Sequence, residues 1–128
     1  MEANANALNW FEIPVDDLER AQEFYEEIFD MKMIALPEML GMKMAGFPID
    51  MQSGKVGGAL AESENHIPSE DGAIVYLNAN PDIQVILDRV EDAGGEINLP
   101  RTEIGEGMGF MALIIDIEGN QVGLHAQN

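Results

Sequence analysis

The hydrophobic positions of this chain change period twice, in the same order each time. Ala7 to Ile13 (ALNWFEI) reads as a strand, and Pro14 is expected to end its ladder because proline has no N–H to donate. Leu18, Ala21, Phe24, Tyr25, Ile28 and Phe29 then recur at helical spacing, with Glu19, Arg20, Glu23, Glu26 and Glu27 on the opposite face. Asp16 or Asp17 can cap this segment, and Glu19 follows Asp16 by three residues as in a capping box. The spacing predicts a helix over about Asp17 to Phe29.

Residues 31–60 carry short apolar pieces broken by Pro37, Gly41, Pro48, Gly54 and the pair Gly57-Gly58, which suits short antiparallel strands joined by tight turns. Residues 61–72 (AESENHIPSEDG) are polar and read as a connector. Strand and helix signals then return. Ala73 to Asn78 reads as a strand, and Asn80-Pro81 as a cap followed by proline in the first helical turn. Ile83, Ile86, Leu87, Val90 and Ala93 mark a helix over about Pro81 to Ala93, stopped by Gly94-Gly95. Glu96 to Leu99 reads as a short strand, and Thr102 to Gly109 as a glycine-punctuated loop. Phe110 to Ile115 and Gln121 to Ala126 form a hairpin across Asp116-Ile117-Glu118-Gly119-Asn120. Two strand–helix–strands units in one chain is the architectural expectation, with module one at about 7–60 and module two at about 73–127 of a single domain.

Composition narrows the partners. The formal net charge is −18, from 24 acidic residues against six Lys and Arg, and those six are scattered. Such a surface repels nucleic acid and anionic membrane, so neither is expected as a partner. No stretch of about 18 apolar residues can span a bilayer, and the first residues lack the pattern of a signal peptide. The chain has no cysteine, which excludes disulfides and thiol chemistry and suits a cytoplasmic location.

Two segments resemble the vicinal-oxygen-chelate superfamily of glyoxalases, extradiol dioxygenases and bleomycin-resistance proteins. One is Ile13-Pro14-Val15-Asp16-Asp17-Leu18-Glu19-Arg20-Ala21 running into Phe24-Tyr25; the other is Phe110-Met111-Ala112 with Asp116-Ile117-Glu118-Gly119-Asn120. Gly57-Gly58-Ala59-Leu60 and Gly94-Gly95 also fall where that family places them. The resemblance implies an α+β fold of two βαβββ modules, whose curved sheets form an open barrel around a cavity, and it implies a homodimer. In metal-dependent relatives, four side chains in that cavity bind a divalent ion. Here those positions fall on Trp10, Leu60, Ala73 and Gly123. Indole is donor-only and the other three have no ligand atom, so no metal or other cofactor is expected.

Strand alternation turns the same resemblance into a candidate site. Trp10 and Glu12 share a face, as do Gln121, Gly123 and His125, and Ala73, Val75 and Leu77, with Tyr76 placed behind the last three. The expected ligand-binding set is therefore Trp10, Glu12, Leu60, Ala73, Val75, Gln121, Gly123 and His125, apolar with a few polar groups, as small-molecule sites usually are. Glu12 and His125 are the candidate acid–imidazole pair for catalysis. His66 reads as a solvated loop residue. None of Ser53, Ser63 and Ser69 sits in a nucleophile-elbow sequence. The leading expectation is a metal-independent small-molecule-binding protein. Its rivals are a lyase, isomerase or dioxygenase-related enzyme using Glu12 as base, and a structural or regulatory dimer with a vestigial cavity.

Overall fold

In the computed structural model, which describes all 128 residues, each half of the chain builds one four-stranded sheet backed by one helix. Module one comprises β1 (Trp10–Pro14), α1 (Leu18–Phe29), β2 (Ile34–Ala35), β3 (Lys43–Gly46) and β4 (Gly57–Glu62). Module two comprises β5 (Tyr76–Asn78), α2 (Ile83–Val90), β6 (Glu96–Gly105), β7 (Gly109–Ile115) and β8 (Gln121–Ala126). The strand orders, β1-β4-β3-β2 and β5-β8-β7-β6, are the same permutation. In each sheet the first strand runs parallel to the last, a pairing that needs a crossover rather than a tight turn. The fold is two βαβββ modules with separate, unclosed sheets. No helix is long and apolar enough to cross a membrane.

Local chemistry fixes the boundaries more tightly than the periodicity does. Asp17 is the cap of α1, its carboxylate accepting from the Arg20 N–H at 3.2 Å. The cap of α2 is Asp82, accepting from the Gln84 N–H at 3.0 Å, so Asn80 and Pro81 lie ahead of the helix. That helix stops at Val90, short of the expected Ala93. Pro14 is the last residue of β1, as expected, and pairs with Ala61 on an edge strand, where a missing N–H on the open side leaves no bond unmade. β4 runs on to Glu62, taking two residues expected in the connector, whereas β5 starts only at Tyr76. Where a short strand and a loop were expected, Glu96–Gly105 form one long strand whose register against β7 shifts three times. Those bulges break the two-residue alternation by which a strand is recognised.

One core of 20 buried residues lies against the helices and draws on both modules, from Ile13, Phe24, Ile28 and Leu60 to Leu77, Ile83, Ile114 and Leu124. Gly58 permits the tightest part of module one's packing: the Phe11 ring lies over it, and a Cβ there would meet that ring at 2.3 Å.

The turn between β7 and β8 binds the two modules together. Asp116 is 3% exposed and accepts the Tyr25 hydroxyl from α1 at 2.7 Å. It also accepts the backbone N–H groups of Glu118 and Asn120, each at 2.9 Å. Asn120 donates to the Pro14 carbonyl at 2.7 Å and accepts from the Ser69 N–H at 3.0 Å. Glu118 takes the backbone N–H groups of Asp16 and Asp17 and pairs with Arg20. Five residues of turn thus hold the end of β1, the start and middle of α1, and the connector.

Burial raises the Asp116 carboxyl above its ordinary value of 3.8, although the hydrogen bonds it accepts oppose that shift. Burial first, then the neighbouring Asp116, pushes the Tyr25 hydroxyl well above its ordinary value, so it remains a donor.

Tyr25→Phe leaves Asp116 Oδ2 with the Asn120 side chain alone and is expected to cost about 1–3 kcal/mol of unfolding free energy, read by urea titration. A pH dependence follows from the raised Asp116 value. The folded state then holds this proton more tightly than the unfolded state, so ionised Asp116 is a burden at neutral pH. That burden lifts as pH falls through the raised value towards 3.8. The stability of the wild type relative to Asp116→Asn should therefore rise on acidification through that window, and a flat or falling difference would refute the assignment.

Candidate functional site

The face of β1 opposite the core carries Trp10 and Glu12, as alternation predicts. Ile13 is buried and Phe11 packs against the core, so the residues between them turn the other way. Trp10 is 39% exposed, and its indole N–H donates to Glu12 Oε2 at 3.2 Å. The other carboxylate oxygen, Oε1, lies 2.8 Å from Nε2 of His66.

That contact corrects two expectations. The imidazole beside Glu12 is His66 and not His125, and the His66 side chain is only 17% exposed rather than solvated. Its place comes from a tight turn directly after β4. The His66 N–H reaches the Ser63 carbonyl at 3.3 Å, and the Asn65 N–H reaches Ser63 Oγ at 3.1 Å. Since β4 lies beside β1, a chain that turns back there passes over Glu12. Ser63 Oγ closes the run at 2.6 Å from His66 Nδ1. His125 is engaged elsewhere: its Nε2 donates to the Met108 carbonyl at 2.9 Å, holding the tip between β6 and β7.

A cleft of about 250 Å³ opens where the modules meet. Glu12, Ile13 and Pro14 line it from module one, and Ala73, Val75, Gln121 and Val122 from module two. The connector covers one side through Ile67, Ser69 and Asp71. Its lining has two carboxylates, Glu12 and Asp71, and no cationic side chain. Gln121 is oriented by an Asn98 amide that donates to its Oε1 at 2.7 Å.

The remaining expected residues lie apart from this cleft. Leu60 is fully buried and sits beside Ile13 in the helix-side core, so its assignment to the cavity lining is corrected. Leu77 is likewise in that core, and Tyr76, expected behind the sheet, shares the open face with Gly123. A Cβ on Gly123 would meet the Tyr76 ring at 2.5 Å, so the phenol ring covers this glycine.

The residues at the four family ligand positions do not fit a metal. The Trp10 N–H is a donor already directed at Glu12, Leu60 is sealed in the core, and Ala73 and Gly123 offer no ligand atom. Nowhere does the chain gather three His, Asp or Glu side chains in an arrangement suited to an ion. Glu62, two residues from Leu60, accepts the Leu18 N–H at 2.9 Å at the start of α1 and lies 4.0 Å from Lys43. It serves the helix.

Comparison with known proteins agrees with this architecture. The profile of the glyoxalase/bleomycin resistance protein/dioxygenase superfamily matches residues 7–124. No curated protein matches the sequence. Among solved structures, a hypothetical protein from S. aureus is 25% identical, with TM-score 0.64 over 96% of this chain and 95% of its own. TnmS3, an antibiotic binding protein from Streptomyces sp. CB03234, is 18% identical, with TM-score 0.65 over 99% of this chain and 100% of its own. The fosfomycin resistance protein FosX from Listeria monocytogenes is 18% identical, with TM-score 0.64 over 97% of this chain and 92% of its own. The structural likenesses show the fold, and the match over nearly the whole length shows the family. This chain belongs to the glyoxalase/bleomycin resistance protein/dioxygenase superfamily.

Proposed function

We propose that this protein binds a small molecule without a metal, in the cleft between its modules and against the Trp10–Glu12 edge. The observation that carries the reading is the convergence of Glu12, Asp71, Gln121, Asn120 and Ser69 on a cleft whose apolar wall comes from Ile13, Pro14, Ile67, Ala73, Val75 and Val122. An apolar wall supplies affinity, and a few fixed polar groups supply orientation. Trp10 stands beside Glu12 as an exposed flat surface, suited to stacking on a planar group. The similar structures of TnmS3, an antibiotic binding protein, and FosX, a fosfomycin resistance protein, support a small-molecule ligand. Both modules contribute to the cleft, which supports treating residues 1–128 as one functional domain.

A thermal-shift screen tests the reading. A ligand present at about 100 times its dissociation constant should add about 2.7 kcal/mol of stability, and chelator treatment should leave that gain intact. Trp10 is the only tryptophan, so its emission should change on binding, and Trp10→Ala should weaken affinity several-fold through the loss of about 1 kcal/mol of stacking. A ligand that neither perturbs Trp10 nor responds to Trp10→Ala would place the site elsewhere.

The same reading includes a homodimer, a state that exposed aromatic groups such as Trp10 and Tyr76 on the open sheet faces favour. Each chain carries −18, and physiological salt screens such charge over about 8 Å. Dimerisation should therefore weaken as salt is withdrawn. Light scattering that reports 14.0 kDa at every ionic strength would reject it.

A further inference from the structure

The hydrogen-bonded run that ends on Glu12 begins at a hydroxyl, and its order matters. A neutral imidazole has one donor nitrogen and one acceptor nitrogen. The Glu12 carboxylate only accepts, and its other oxygen is already taken by the Trp10 N–H. At 2.8 Å from that carboxylate, His66 Nε2 must carry the proton. Nδ1 is then left with its lone pair directed at Ser63 Oγ, 2.6 Å away, so the Ser63 hydroxyl donates to it. The Asn65 N–H donates to the same oxygen at 3.1 Å, a contact that grows stronger as negative charge gathers there. A hydroxyl, a base positioned to receive its proton, and a carboxylate that fixes the base's tautomer are the parts of an activated serine.

Ser63 is also reachable. It lines an open depression of about 380 Å³, on which Val15, Gly41 and Lys43 also border and which lies outside the cleft between the modules. Asp16, Glu38, Glu62 and Glu64 surround this depression, with Lys43 its single cation. That field disfavours an anionic molecule and admits an uncharged or cationic one. The Lys43 ammonium is largely exposed and pairs with Glu62 only at 4.0 Å, a long contact that an exposed side chain can exchange for a carbonyl oxygen.

We propose that Ser63, with His66 and Glu12, forms a nucleophilic site that hydrolyses small uncharged or cationic carboxylic esters. Ser63 Oγ bonds to the ester carbonyl carbon while its proton passes to His66 Nδ1. The carbon–alkoxy bond then breaks, and the leaving oxygen takes that proton from Nδ1 to depart as an alcohol. Water adds to the acyl-Ser63 carbonyl, giving a proton to Nδ1. The Oγ–acyl bond breaks, Oγ recovers the proton, and a carboxylic acid leaves. Ester and water give acid and alcohol, with no other reactant. Glu12 takes no part in the bond changes and acts as the positioning residue for His66. It is the one residue this site shares with the ligand cleft.

The test uses the full chain with a fluorophosphonate probe and with p-nitrophenyl acetate. Peptide mapping should find the phosphonate adduct on Ser63, and not on Ser53 or Ser69. Ester hydrolysis should fall by about a hundredfold or more in Ser63→Ala and His66→Gln, the scale of general-base catalysis. Thermal unfolding of each variant separates lost chemistry from lost folding. An unmodified Ser63 after prolonged exposure, or a Ser63→Ala protein that hydrolyses ester at the wild-type rate, overturns the proposal and leaves the run as a structural pin for the connector. Ligand binding in the cleft is read separately through Trp10 emission, so failure of one reading does not decide the other.

Discussion

A carboxylate buried between two modules organises this molecule. Asp116 sits where water cannot solvate it, a position that costs several kcal/mol unless donors replace the lost hydration. The replacements come from both halves of the chain: a phenol on α1, and the backbone and side chain of its own turn. The turn supplies donors to both of its oxygens, and module one adds the Tyr25 hydroxyl on Oδ2. The shared bond ties the turn to α1, because separating them breaks the Tyr25 hydrogen bond to Asp116. Apolar packing across the shared core supplies attraction without direction, whereas these bonds fix how one module is set against the other.

That fixed setting is what gives the cleft its shape. Asn120 joins the Pro14 carbonyl to the Ser69 backbone, so the end of β1 and the connector are held to the same side chain. His66 provides a second attachment of the connector, at Glu12. Between the two attachments the chain runs past the cleft and contributes Ile67 to its lining. Asn120, Ser69 and Glu12, which make these attachments, themselves line the cleft.

Much of this was legible from residue order, and the failures have definite causes. The apolar stripe of α1 and the turn Asp116 to Asn120 were visible, but not the bond between them, since 91 residues separate Tyr25 from Asp116 and nothing local records the pairing. Leu60 was assigned to the wrong face because Gly57 and Gly58 carry no side chain to set the phase of β4, and a one-residue slip inverts a strand. His66 was missed for another reason. A polar connector has no periodicity, and its path depends on a serine-centred turn and on which strand happens to lie alongside. The signal that could have found it was Ser63 with His66 three residues on, immediately after a strand paired to β1.

The two sheets repeat a backbone without repeating a chemistry. Ile13 pairs with Leu60 as Leu77 pairs with Leu124, and all four are core residues. Counting back one position from each places Tyr76 where module one has Glu12, and Gly123 where it has Ala59. Counting forward one places His125 where it has Ala61. One open face therefore presents an indole and a carboxylate, and its counterpart presents a phenol and an imidazole. Equivalent places on the pseudo-symmetric scaffold present different groups. The repeated topology makes a symmetrical frame, and the differing residues at its paired positions give the two open faces unlike chemistry.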